Sequence, residues 1–127
     1  AIHKPLEDMP APPQETVGHV SWAELNTTDY ESAFGFYSGL FGWKHRQSME
    51  MPGGLTYFMW NDDDGLTKGG MSNVAAMMKM PPHWLYYVTV ADIHDTLARV
   101  KKAGGKVVNG PEEVPGNDLI AQCVDPQ

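Results

Sequence analysis

A gapless shift of 63 residues lays the second half of this 127-residue chain over the first. Asp29 falls on Asp92 where a helix should start, and Tyr37 falls on Val100 on that helix's apolar face. Gly42 falls on Gly105 after the helix, Gly53 on Gly116 at a turn, and Asp62 on Asp125. Residue identity across the shift is low, but element order, turn positions and helix length agree. Internal self-similarity of this kind predicts two copies of one supersecondary unit.

Each copy reads as β-α-β-β-β. Val17 to Thr27 alternates loosely and is rich in Val, Trp and Leu, as a strand requires. Thr28 is expected to cap the following helix, with Glu31 completing a capping box. Ala33, Phe36, Tyr37, Leu40 and Phe41 then repeat at helical spacing and form its buried face. Strands are expected near 43–49, 55–60 and 66–72, separated by the turn clusters Pro52-Gly53-Gly54 and Asn61 to Gly65. The second copy supplies a strand over Trp84–Val90, a helix over Asp92–Ala103, and strands beginning at Lys106 and Leu119. The copy-one strand at 66–72 would map beyond Gln127, so either the protein continues past this residue or another chain supplies the strand at an edge left open in the chain as given. Open edges favour pairing with a second molecule, so a homodimer is expected.

The predicted fold class is therefore α+β: two tandem β-α-β-β-β modules whose curved mixed sheets share a cleft. Residues 1–16 form a Pro-rich extended arm, and 17–127 a single two-module domain, with module 1 over about 17–73 and module 2 over about 83–127. The formal net charge of -7 disfavours nucleic acid as a partner. No apolar run reaches the roughly 20 residues that span a bilayer, and the opening residues lack the apolar stretch of a signal peptide. Cys123 is the single cysteine, which excludes an internal disulfide and suits the cytoplasm. Its apolar strand predicts burial.

Asp29 followed by Ala33-Phe34-Gly35-Phe36-Tyr37-Ser38-Gly39-Leu40-Phe41-Gly42-Trp43 resembles a recurring helix of the vicinal oxygen chelate superfamily. That superfamily includes glyoxalase I, bleomycin-resistance proteins and extradiol dioxygenases. Tyr87 to Ile93, Ala103 to Val107 and Val124-Asp125-Pro126-Gln127 extend the resemblance over residues 17–127. The resemblance implies sheets curved around a cleft, with a divalent metal held there by the first and last strands of each copy. Counted from the helix-start Asp, the first-strand positions fall on Trp22 and Leu85, and the copy-one last-strand position in Gly69-Gly70-Met71. None offers a metal donor, so no cofactor is expected, although the resemblance itself implies a divalent metal.

Glu24 shares a strand face with Trp22, and its counterpart at the shift of 63 is Tyr87. Apolar surroundings raise a carboxylate's pKa, which suits a general base, so Glu24 is the candidate catalytic residue; a salt bridge between the modules is the structural alternative. Trp22, Glu24, Tyr57, Trp60, Met71, Leu85 and Tyr87 are the candidate ligand-binding residues, because flat rings and flexible thioethers suit an adaptable pocket. The same residues suit core packing, and alternation lets only about half of them face one side. His19 lies five residues from Glu24 and so on the opposite strand face; His45, His83 and His94 lack a partner at metal-ligand spacing. The leading expectation is a small-molecule-binding protein of the bleomycin-resistance type without the usual catalytic metal. A metal-dependent lyase or dioxygenase of the same superfamily, drawing on unaligned ligands such as His19 or His83, and a non-catalytic protein-interaction subunit are the alternatives.

Overall fold

The computed structural model describes residues 2, 4 and 13–127. Most of the expected arm over 1–16 lies outside the described residues. The elements run β1 (Val20–Asn26), α1 (Tyr30–Phe41), β2 (Lys44–Met51), β3 (Leu55–Asn61), β4 (Thr67–Ser72), α2 (Val74–Met78), β5 (His83–Val88), α3 (Ile93–Lys102), β6 (Lys106–Val114) and β7 (Asp118–Val124). Contacts divide the chain into two compact units, residues 1–89 and 90–127. The division follows β5 rather than falling in the linker between residues 73 and 83, because β5 pairs along β1.

Unit 1 is a five-stranded sheet in the order β2-β3-β4-β1-β5. β4 runs parallel to β1, and the other neighbours are antiparallel. The parallel pair follows from α1, which turns the chain back over the sheet before β2 and β3 return it. Asp29, not Thr28, caps α1: its Oδ1 accepts the Ser32 N–H at 3.0 Å. The helix starts one residue later than the capping-box spacing requires, and the Asp carboxylate satisfies an end N–H. At the other end Gly42 takes a left-handed conformation (φ 72°) and donates its N–H to the Ser38 carbonyl.

The apolar face of the sheet meets α1. Leu25, Trp60 and Met71 are buried there, with Ala23, Tyr30, Ala33, Phe34, Tyr37, Trp43 and Trp84 packed against them. Trp43 stacks on Trp60 with centroids 3.6 Å apart and planes 6° from parallel. Phe34 rather than Phe36 joins this core, packing 4.7 Å from Phe58, while Phe36, Leu40 and Phe41 stay exposed. The helix meets the sheet along a narrower stripe than its apolar residues could cover.

The short α2 was not expected. It starts after Asn73, whose Oδ1 accepts the Tyr30 N–H at 2.7 Å and so ties the two helix starts together. In unit 2, α3 lies on the two-stranded β6–β7 sheet and buries Leu97. Asp92 caps it by accepting the Asp95 N–H at 2.7 Å. Asp29 and Asp92 thus do the same work 63 positions apart. Cys123, expected buried, is exposed, because a two-stranded sheet carrying one helix leaves apolar strand residues uncovered.

Candidate functional site

The face of the unit 1 sheet turned away from the Leu25–Trp60–Met71 core carries Trp22, Glu24 and Asn26 from β1. Opposite them on β5 stand Tyr87, Leu85 and His83, in register Trp22↔Tyr87, Glu24↔Leu85 and Asn26↔His83. On the other side of β1, Gly70 of β4 lies beside Glu24, and Met59 of β3 lies beside Gly70.

Tyr57 reaches this group from β3, across the whole width of β4. The Trp22 indole N–H donates to the Tyr57 hydroxyl at 2.9 Å, and that hydroxyl donates to Glu24 Oε2 at 3.0 Å. The crossing is open because residue 70 is glycine: a Cβ there would collide with the Tyr57 ring and hydroxyl. The neighbouring Gly69 serves the opposite face, where a Cβ would strike the Ala23 carbonyl and the Trp60 ring.

The other Glu24 oxygen also has a partner. Asn26 Nδ2 lies 3.3 Å from Glu24 Oε1 and 3.5 Å from His83 Nε2. His83 Nδ1 lies 2.9 Å from the Pro81 carbonyl, a contact that only an Nδ1–H can make as a donor. The face therefore carries one connected chain: Trp22, Tyr57, Glu24, Asn26, His83. Burial, with the Glu24 charge adding to it, pushes the Tyr57 hydroxyl far above the ordinary tyrosine range. The hydroxyl is locked as a neutral donor beside an acceptor carboxylate.

The structure thus brings Trp22, Glu24, Tyr57, Leu85 and Tyr87 to one face. It does not bring Trp60 or Met71, both expected in the same pocket. Trp60 is 5% exposed and Met71 0%, both beneath α1 on the opposite face. Parity accounts for this: Trp60 is three residues from Tyr57, and Met71 is next to Gly70. The sequence pattern does not single out Asn26, and it offers His83 only as an unaligned metal ligand. Asn26 could have been found as the next same-face residue after Glu24, whereas His83 needed the β1–β5 register.

The positions that the superfamily uses for metal carry no suitable donor in this chain. Trp22 and Leu85 present an indole and an aliphatic chain, and Tyr57 fills the space above Gly70 where a ligand side chain would stand. These positions do not fit a metal. Among the described residues, no group of three or more His, Cys, Asp or Glu side chains is arranged to hold a metal ion.

A second polar cluster follows β3. Lys68 Nζ reaches Asp64 at 2.7 Å and Asp62 at 3.7 Å, and Lys44 reaches Asp63 at 2.8 Å. The Lys68 hydrogen bond, helped by Asp62 and the Leu66 N–H, pulls Asp64 down to about 2. The cations already present account for these carboxylates as a solvated turn.

A model of the Glyoxalase/Bleomycin resistance protein/Dioxygenase superfamily matches residues 16–127. The chain belongs to this superfamily. It is 34% identical over 110 residues to "Putative glyoxylase CFP32" of Mycobacterium tuberculosis, a match covering 87% of this chain and 41% of that protein. It is 31% identical over 109 residues to "Anthracycline biosynthesis protein DauV" of a Streptomyces species, covering 86% of this chain and 38% of that protein. The chain therefore spans about two fifths of the length of these relatives. Among solved structures, methylmalonyl-CoA epimerase from Mycobacterium tuberculosis shares the fold, with a TM-score of 0.58 at 14% identity over 80% of this chain and 77% of that one. No helix among the described residues is long and apolar enough to cross a membrane.

Proposed function

We propose that the polar face of the unit 1 sheet binds a small, partly apolar organic molecule. Trp22, Leu85 and Tyr87 are its walls, and Glu24 with Tyr57 is its polar anchor. The observation that carries this reading is the Trp22–Tyr57–Glu24 chain, which holds a half-buried carboxylate and a neutral hydroxyl in fixed geometry. Such a carboxylate can accept a hydrogen bond from a ligand or take a proton from it as a general base. Its orientation is set before the ligand arrives, which lowers the entropic cost of binding. The reading places no ion on Trp22, Leu85 or Gly69 to Met71. The similarity to a putative glyoxylase and to an anthracycline biosynthesis protein supports small-molecule chemistry. The protein is read as a cytoplasmic homodimer, supported by its single cysteine and by the exposed apolar residues Phe36, Leu40 and Tyr86 of unit 1.

The test is a fragment screen read by calorimetry, followed by variants of the anchor. Ligands that bind the native chain should lose at least tenfold in affinity in Tyr57→Phe and Glu24→Gln. Ligands unaffected by both substitutions would contradict the assignment.

A further inference from the structure

We propose that the cavity between the end of β1, the start of α1 and Pro82 is a second binding site, which takes a neutral, polyhydroxylated molecule of monosaccharide size. It shares no residue with the Trp22–Tyr57–Glu24 face, so it stands apart from the function proposed above.

The cavity holds about 340 Å³, at the lower end of the roughly 300–1,000 Å³ of small-molecule pockets. Its lining divides by chemistry. Thr27, Asp29 and Ser32 bring two hydroxyls and a carboxylate, while Phe36, Tyr37 and Pro82 bring two aromatic rings and an apolar one. Alternation puts Thr27 on the same side of β1 as the buried Leu25, one residue past the strand's end. Thr27 is only 7% exposed, and its N–H is bonded to the Ser72 carbonyl at 2.9 Å. Its hydroxyl has no hydrogen-bond partner among the described residues. A hydroxyl buried in this way costs free energy until something bonds it, and a ligand in the cavity can. Tyr37 offers a second fixed group: its hydroxyl accepts the Trp84 indole N–H at 3.3 Å and keeps its own proton to donate.

Charge decides the class of ligand. Among the described residues no Lys, Arg or His lines the cavity. The α1 start is not free to cradle an anion, because its N–H groups are spent. Tyr30 donates to Asn73 Oδ1 at 2.7 Å, Ser32 to Asp29 Oδ1 at 3.0 Å and Ala33 to the Asp29 carbonyl at 3.1 Å. The Asp29 charge repels an anion further, and the positive end of the helix dipole opposes a cation. A neutral ring with hydroxyls on its edge meets both conditions. Hydroxyls donate and accept, which suits Thr27, Ser32 and the second Asp29 oxygen. The C–H face of such a ring can cover Phe36, which is 62% exposed, and so remove apolar surface from water.

The test is a titration of the ¹⁵N-labelled chain with the methyl glycosides of glucose, galactose and mannose. At least one should give saturable shifts at the Thr27 and Ser32 amides and at the Trp84 indole, which reports on Tyr37, while the Trp22 and Trp60 indoles stay in place. Thr27→Val should weaken binding about fivefold and leave the urea midpoint unchanged, because the hydroxyl bonds nothing in the protein. Phe36→Ala should weaken binding about tenfold. Choline and glucuronate should bind more weakly than the neutral glycoside; equal or tighter binding of either overturns the neutral class. No saturable shift with any of the three glycosides, native affinity in Thr27→Val, or shifts at Trp22 in place of Trp84 overturns the site. Phe36 is also among the residues that support a homodimer, so shifts that follow protein concentration rather than glycoside would assign its ring to that contact and overturn the site as well.

Discussion

On the side that meets α1, the unit 1 sheet stacks Trp43 on Trp60 and buries Met71 completely. On its other side the same strands carry a hydrogen-bonded chain from Trp22 to His83. β4 separates the two with adjacent glycines, Gly69 opening room for Trp60 and Gly70 for Tyr57. One side stabilises by excluding water; the other holds polar groups in fixed directions and leaves part of them accessible. The lesson is that residue type alone does not assign a side: each bears a tryptophan as its largest ring, and only parity along the strand separates them.

The comparison can be broken from either side. The largest effect should come from Met71→Ala, which leaves a cavity among Leu25, Trp60 and the α1 residues. A loss of about 2–5 kcal/mol in urea unfolding is expected, with affinity at Trp22 kept in the molecules that remain folded. Gly70→Ala comes next. The added methyl meets the Tyr57 ring, and overpacking of this kind costs about 1–3 kcal/mol. Unlike Met71→Ala, it should also abolish ligand binding, because Tyr57 must leave Glu24. A Gly70→Ala protein with native stability and affinity would show that Tyr57 does not need the crossing.

Asp29→Ala should cost about 1 kcal/mol by removing the α1 cap without touching the polar side, measurable as a shift in the urea midpoint with unchanged ligand affinity. The smallest effect is in pH. The Tyr57 pKa is raised, so the folded chain holds that proton where an unfolded chain releases it. Its contribution to stability is complete below the ordinary tyrosine range and declines as pH rises beyond it. In an alkaline titration followed at the tyrosinate absorbance, Tyr57→Phe should remove no ionisation that the native chain completes before unfolding.

Much of this architecture was legible in the chain. Alternation puts Trp22 and Glu24 on one side of β1, and the shift of 63 aligns both capping aspartates at the helix starts, although the capping-box spacing points to Thr28 rather than Asp29. The superfamily was legible in the α1 motif from Asp29 to Trp43. Tyr57's partnership with Glu24 was not, because it spans two strands and depends on the order β3-β4-β1, which no local pattern encodes. Residue type points Trp60 and Met71 to the pocket, but parity relative to Tyr57 and Gly70 puts them in the core. α2 was missed because five residues give too few turns for periodicity to register. The sequence offers His83 only as an unaligned metal ligand after two prolines; pairing with β1 brings it to Asn26.

The central claim is that the polar side of this sheet is the binding surface and the aromatic side is core. The four tryptophan indole N–H signals report on both, since Trp22 Nε1 donates to Tyr57 while Trp60 Nε1 is buried without a partner. Fragment titration of ¹⁵N-labelled protein, followed at these signals, tests it directly. Saturating shifts at the Trp22 indole, with Trp60 unmoved, are the predicted result. Ligands that move Trp60 and leave Trp22 in place would contradict it.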